Sequence, residues 1–217
     1  VSADGSLIVG YSLSPNSTEF FGHEAFQWTA STGMVGLGDI PGGPFESEAL
    51  DVSRDGTFIL GDGSLVVAKD HSASWSDGQV TDLGGIADTY LFHVSADGQT
   101  TVGQTGGLFG FGLVIDHGQR FIIDRIDPIL GDADYASGVS ADGRLVCGSM
   151  NINANTARGA GRAYIWDQFN GPRLLQPLLT STFGLDLTGW ELNAAIAISD
   201  DGSTIIGRGF APSGEQL

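Results

Sequence analysis

Four aspartates crowd the stretch IIDRIDPILGDADY: Asp124, Asp127, Asp132 and Asp134. Carboxylates are hard oxygen donors, and calcium takes about six to eight such oxygens in a flexible loop. The spacing matches neither the EF-hand nor the nonapeptide calcium repeat. A solvated loop accounts for these residues more simply, and calcium is the one cofactor the sequence offers.

Other chemistry-bearing residues are weaker still. The four histidines, His23, His71, His93 and His117, show no H-x-x-x-H spacing. Cys147 is the single cysteine, which excludes an intrachain disulfide. It occupies a slot that other repeats fill with Val9, Leu60, Val102 and Ile206, so it reads as a small buried hydrophobe. No G-x-S-x-G or phosphate-cradling glycine loop is present, so no catalytic residues are named. Trp190 stands outside the register of the other tryptophans and is the candidate exposed aromatic. Asn151, Asn153 and Asn155, in the insertion NINANTARGAG, join it as a candidate ligand surface.

Composition narrows the classes. With 26 acidic and 9 basic residues the net charge is −17, a field that repels phosphate backbones and excludes a nucleic-acid partner. Hydrophobic residues make up 41 %, too many for a disordered chain. No apolar run approaches the ~18 residues of a membrane helix. Glycine reaches 34 residues, and the apolar runs are short, β-branched and bounded by Gly, Asp, Asn and Ser. That pattern is all-β.

The elements that would hold these residues repeat. VSADGSLIVG, VSRDGTFILG, VSADGQTTVG, VSADGRLVCG and ISDDGSTIIG start at Val1, Val52, Val94, Val139 and Ile198, with spacings of 51, 42, 45 and 59. Asp-Gly between apolar runs is a strong hairpin signal, because Gly accepts positive φ and Asp caps the turn. A type I turn closed by a left-handed glycine bulge is expected, with the turns as structural corners spaced along a rim. Another glycine closes each copy nine residues after its start, and the many glycines are read as serving turns. A second hairpin follows in four units, placing Trp28, Trp75, Ile115 and Trp166 in one strand slot, where packing between neighbouring sheets is expected.

Two hairpins per unit of this period predict a β-propeller of four-stranded antiparallel blades. We expect a single domain over residues 1–217 with five blades, one shared by the two termini, or a segment of a larger propeller. Residues 178–183, within a second insertion, are expected to form a short helix on a loop face suited to binding.

GHEAFQWTASTGMVGLGDIPGGPFESEALDVSRDGTFILG resembles the HAF-repeat family of bacterial extracellular proteins. The likeness rests on an A-F-x-W strand, a G-M-x-x-L-G strand, a G-G-x-x-S-x-A connector and the S-x-D-G hairpin. LDLTGWELNAAIAISDDGSTIIGRGFAPSGEQL resembles that family's last repeat. The resemblance implies an exported, extracellular or outer-surface protein, as in autotransporter passengers, with the signal peptide absent from this segment. It implies no reaction.

The expected function is a non-catalytic binding, adhesion or assembly module whose partner is a surface polymer, a glycan or another copy of the chain. Two alternatives stand beside it. One is a glycoside hydrolase or polysaccharide lyase with an axial site, since propellers host such carboxylate pairs. The other is a structural subunit of a surface filament or layer.

Overall fold

The computed structural model describes residues 1–17, 22–65, 68–84, 89–106, 110–123, 134–151 and 161–216. The chain divides into two compact units, Val1–Thr101 and Val102–Leu217. The division falls inside the ninth of seventeen described strands.

In the first unit, β1 (Ile8–Leu13), β2 (His23–Thr29) and β3 (Gly33–Gly36) form a three-stranded antiparallel sheet. β4 (Ser47–Val52), β5 (Ile59–Leu65), β6 (Ala68–Ser76) and β7 (Gln79–Asp82) follow as a four-stranded sheet in sequence order. A third sheet takes β8 (Thr89–Val94), β9 (Thr100–Thr105), β10 (Gly112–Asp116) and β11 (Gln119–Ile123), again in order.

The second unit continues with β12 (Asp134–Val139), β13 (Val146–Asn151), β14 (Gly161–Asp167) and β15 (Gly171–Leu174), a four-stranded sheet. Helix α1 (Leu175–Phe183) comes next, starting three residues before the expected helix. β16 (Glu191–Ile198) and β17 (Ile205–Phe210) form a separate two-stranded sheet. The sheet expected to be shared by the two termini is therefore not found among the described residues. β17 pairs with β16, and Phe210 bridges to the returning Gln216, so these strands find local partners instead.

Why three of the repeats need their closing glycine is visible in the ladder. β4, β12 and β16 carry the same bulge, the register slipping past Leu50, Ser137 and Ile196. A bulge kinks its strand toward the neighbour. A Cβ on Gly61 would meet the Glu48 carbonyl at 1.9 Å, one on Gly148 the Tyr135 carbonyl at 1.9 Å, and one on Gly207 the Ala194 carbonyl at 2.0 Å. These glycines sit within strands, where the neighbouring backbone comes too close for a side chain, so the expectation that the glycines serve turns does not hold for them.

Cores form where one sheet faces the next. Ala25 and Ile40 pack with Ala49, Val52, Ile59, Ala73 and Trp75 in the first unit. In the second, Val102, Val114 and Ile123 pack with Val146, Tyr164 and Trp166. Cys147, Ala163 and Ala195 close the contact between the last two sheets. Tyr164 sits fully buried, donating its hydroxyl to the Tyr135 carbonyl at 3.0 Å.

Candidate functional site

Each S-x-D-G turn is a self-contained network. In the second, Ser53 Oγ donates to Asp55 Oδ1 at 2.8 Å, and the Thr57 N–H and hydroxyl donate to the same oxygen at 3.0 and 2.8 Å. The Phe58 N–H donates to Ser53 Oγ at 3.0 Å. Gly56 N–H returns to the Ser53 carbonyl at 3.0 Å with φ +77°, a type I turn closed by a left-handed glycine. The Ser-to-Asp bond and the bond back to the Ser hydroxyl recur in the turns of Asp4, Asp97, Asp142 and Asp201.

These donors stabilise the ionised carboxylate. The backbone and hydroxyl of Ser6, then the Ser2 hydroxyl, lower Asp4 to about 2. The Ser199 hydroxyl, then the Ser203 N–H and hydroxyl, lower Asp201 to about 2. Asp55 is lowered chiefly by the Thr57 N–H, and Asp142 chiefly by the Ser140 hydroxyl.

Neighbouring turns also touch one another. In the first unit the Ala3 N–H donates to the Arg54 carbonyl at 3.1 Å, and the Arg54 N–H to the Ala96 carbonyl at 3.0 Å. In the second the Ala141 N–H donates to the Asp200 carbonyl at 3.0 Å. The bonding pairs occupy one repeat position, so stacking sheet on sheet brings the backbones together while each Asp stays turned into its own loop.

A sizeable concavity among the described residues lies elsewhere. An open cleft of about 930 Å³ is bounded by β14, β15, α1, β16 and β17. Ile165, Leu175, Leu179, Phe183, Trp190 and Leu192 give it an apolar wall, and among the described residues no carboxylate lines it. Arg173 and Arg208 are its two charged lining residues. Arg173 is held by Asp167 at 2.5 Å.

Local chemistry sets the cleft's roof. Pro177 is tolerated in the first turn of α1, where helix N–H groups have no intrahelical acceptor. Gly184 ends the helix at φ +67°, its N–H capping the Leu179 carbonyl. Gln176 then clamps the returning loop: its Nε2 donates to the Trp190 carbonyl at 2.7 Å, and its Oε1 accepts from the Leu192 N–H at 3.2 Å. Sequence reasoning missed Gln176, because nothing local connects a helix glutamine to a tryptophan fourteen residues on.

Trp190, expected as an exposed aromatic, is half-buried in this cleft wall. Asn151 ends β13 opposite Gly161, whereas Asn153 and Asn155 lie outside the described residues. Asp124, Asp127 and Asp132 lie outside them too; Asp134 opens β12 opposite Met150. No group of three His, Cys, Asp or Glu suited to a metal occurs among the described residues.

The four histidines do not converge; each takes a separate carboxylate. His23 meets Glu48 at 3.1 Å, His71 Asp82 at 3.4 Å, His93 Asp51 at 3.3 Å and His117 Asp116 at 2.7 Å. Trp75 and Trp166 are buried between sheets at 2 % and 7 % exposure. Trp28, in the same slot, is 37 % exposed. Burial of Cys147 pushes its thiol up to about 12, which removes it as a nucleophile.

No family model matches the chain, and no curated protein matches it. Solved structures do. The chain is similar to TolB from Acinetobacter baumannii, with 16 % identity and a TM-score of 0.55 over 80 % of this chain and 41 % of that one. It is similar to a putative TolB from Agrobacterium tumefaciens, with 18 % identity and a TM-score of 0.54 over 81 % of this chain and 62 % of that one. The chain thus spans less than two thirds of either relative. The fold is all-β, built on four-stranded antiparallel sheets, and resembles TolB-like β-propeller domains. Among the described residues, no helix is long and apolar enough to cross a membrane.

Proposed function

We propose that this chain is a non-catalytic propeller-type binding module, and that its ligand sits in the cleft between β14–β15, α1 and β16–β17. One observation carries the reading. Each of the five repeated aspartates is spent on its own turn, while the cleft presents leucine, isoleucine, phenylalanine and Trp190 with no acid–base pair among the described residues. A wall of that kind recognises an apolar face, either of an acyl chain or of a sugar ring stacked on Trp190. Glycoside hydrolysis needs two carboxylates roughly 5–9.5 Å apart across the scissile bond, so a lining without carboxylates favours binding over hydrolysis.

Placement on the outer surface of a bacterial cell belongs to the same proposal and rests on the HAF-type repeat pattern. The cleft is tested by following Trp190 emission while surface glycans and acyl amphiphiles are titrated, with Trp190→Phe as control. A saturable shift lost in the variant supports the assignment. Unchanged emission across the whole panel removes it.

A further inference from the structure

Glu48 and Asp62 stand directly opposite each other in the β4–β5 ladder. Like charges so placed destabilise a sheet, so this pair works against the strands that carry it. The ladder ends one rung on, at Ser47 and Gly63, and the Asp39 carboxylate takes the place of the next rung. It accepts the Glu46 N–H at 2.9 Å and the Ser64 N–H at 3.2 Å, which fixes both strand ends. Here lies an open notch of about 80 Å³, lined by Glu46, Ser47, Glu48, Asp62, Gly63 and Ser64.

Three carboxylates do not make a site by themselves. The second observation is Ser64, which is 3 % exposed and whose Oγ meets no hydrogen-bond partner among the described residues. A buried hydroxyl is ordinarily paired, because leaving it unmade is costly. Ser47, the other hydroxyl in the lining, is already committed to the Gly38 carbonyl at 2.8 Å. Ser64 therefore offers the notch an oxygen that the fold does not use. Conflicts of this local kind, like charges in register beside an unused hydroxyl, gather where a protein meets a ligand.

We propose that this notch binds a primary ammonium group, of the sort a lysine side chain or an amino sugar carries, with Ser64 Oγ and the carboxylates of Glu46 and Asp62 as acceptors. An ammonium brings three donors and no acceptor, whereas ionised carboxylates only accept, so the two inventories match. Its charge relieves the repulsion between Glu48 and Asp62. A metal ion is the poorer fit. No group of three His, Cys, Asp or Glu among the described residues could hold one, and calcium needs its oxygens at 2.3–2.6 Å. Hydrogen bonds from an ammonium reach further, to about 3 Å. Net charge of −17 raises the concentration of any cation near the surface. This inference goes beyond the cleft reading and uses none of the residues that line the cleft.

Amide spectra of the ¹⁵N-labelled chain test it. Butylammonium is expected to shift the Gly63 and Ser64 amides saturably, and added salt to weaken the effect. Butanol, which lacks the charge, and tetramethylammonium, which lacks the N–H donors, should leave both amides in place. Ser64→Ala and Glu46→Gln should each weaken binding about tenfold, the value of one hydrogen bond to a charged group. Ser64→Ala should keep its unfolding midpoint, since the hydroxyl it loses serves nothing in the fold; Glu46→Gln carries the test should that variant fail to fold. N-acetyl-lysine amide and methyl glucosaminide then separate the sources, the tighter binder naming the natural one. No shift with butylammonium overturns the proposal, as does an equal response to tetramethylammonium or a calcium ion that gives the same shifts at lower concentration. Trp190 emission reports none of this, so this proposal and the cleft reading fail separately.

Discussion

Leu145 fills the space that a side chain on Gly202 would need, its Cδ1 lying 2.7 Å from where a Cβ would stand. Gly202 also holds φ +70°. Gly202→Ala is therefore expected to suffer twice: about 1–2 kcal/mol for the left-handed backbone and a smaller amount, up to about 1 kcal/mol, for turning the flexible end of Leu145 aside. Gly5→Ala, with the same φ of +70° and open space around it, should suffer only the first. Denaturant unfolding of the two variants measures the difference.

Ser53 is fully buried and serves its turn twice, donating to Asp55 and accepting from the Phe58 N–H. Ser53→Ala leaves that N–H without its acceptor, at an expected loss of about 1–3 kcal/mol. Ser53→Thr, which keeps the hydroxyl, should lose less. Unfolding midpoints of the pair separate the hydrogen bond from the packing.

Acid should unfold the protein through its turns. Asp4 and Asp201 fall to about 2 in the folded chain, and Asp55 and Asp142 are also lowered. A folded pKa below the unfolded one gives stability that is present above the unfolded value, near 3.9, and lost as pH falls through the folded value. Stability should hold above about pH 5 and decline from about pH 4 toward pH 2. Asp39 works the other way: burial raises it despite the N–H groups of Glu46, Ser64 and Ile40, so its strain is relieved as pH falls. Melting temperature against pH, for wild type and Asp201→Asn, checks the window; the variant's profile should be flatter.

Cys147 is fully buried between the last two sheets, with its thiol pushed up to about 12. A thiol reagent should therefore label it only when the sheets part. Labelling of the native chain should track the unfolding rate and jump in denaturant. Prompt labelling under native conditions would show that this core opens on its own.

How far the sequence could be read follows from where each cause lies. Turn residues carry theirs within five positions, so Ser53, Asp55 and Gly56 announced their roles directly. Gly148 did not, because the carbonyl that forbids it a side chain belongs to Tyr135 and reaches it through a bulge on another strand. Trp28 and Trp75 share one repeat slot but differ in burial, since burial depends on the sheet in front, which a slot cannot reveal. The cleft needed a helix, a clamp by Gln176 and two sheets to converge, and no single stretch records that convergence.

The central claim is that the repeated Ser and Asp side chains are turn structure and hold no shared ion. Equilibrium unfolding of wild type and Ser53→Ala, each with calcium and with a chelator, tests it most directly. The account predicts that chelation leaves the wild type unchanged and that Ser53→Ala is weakened equally in both conditions. A wild type that loses stability on chelation, beside a Ser53→Ala chain that no longer responds to calcium, would contradict it.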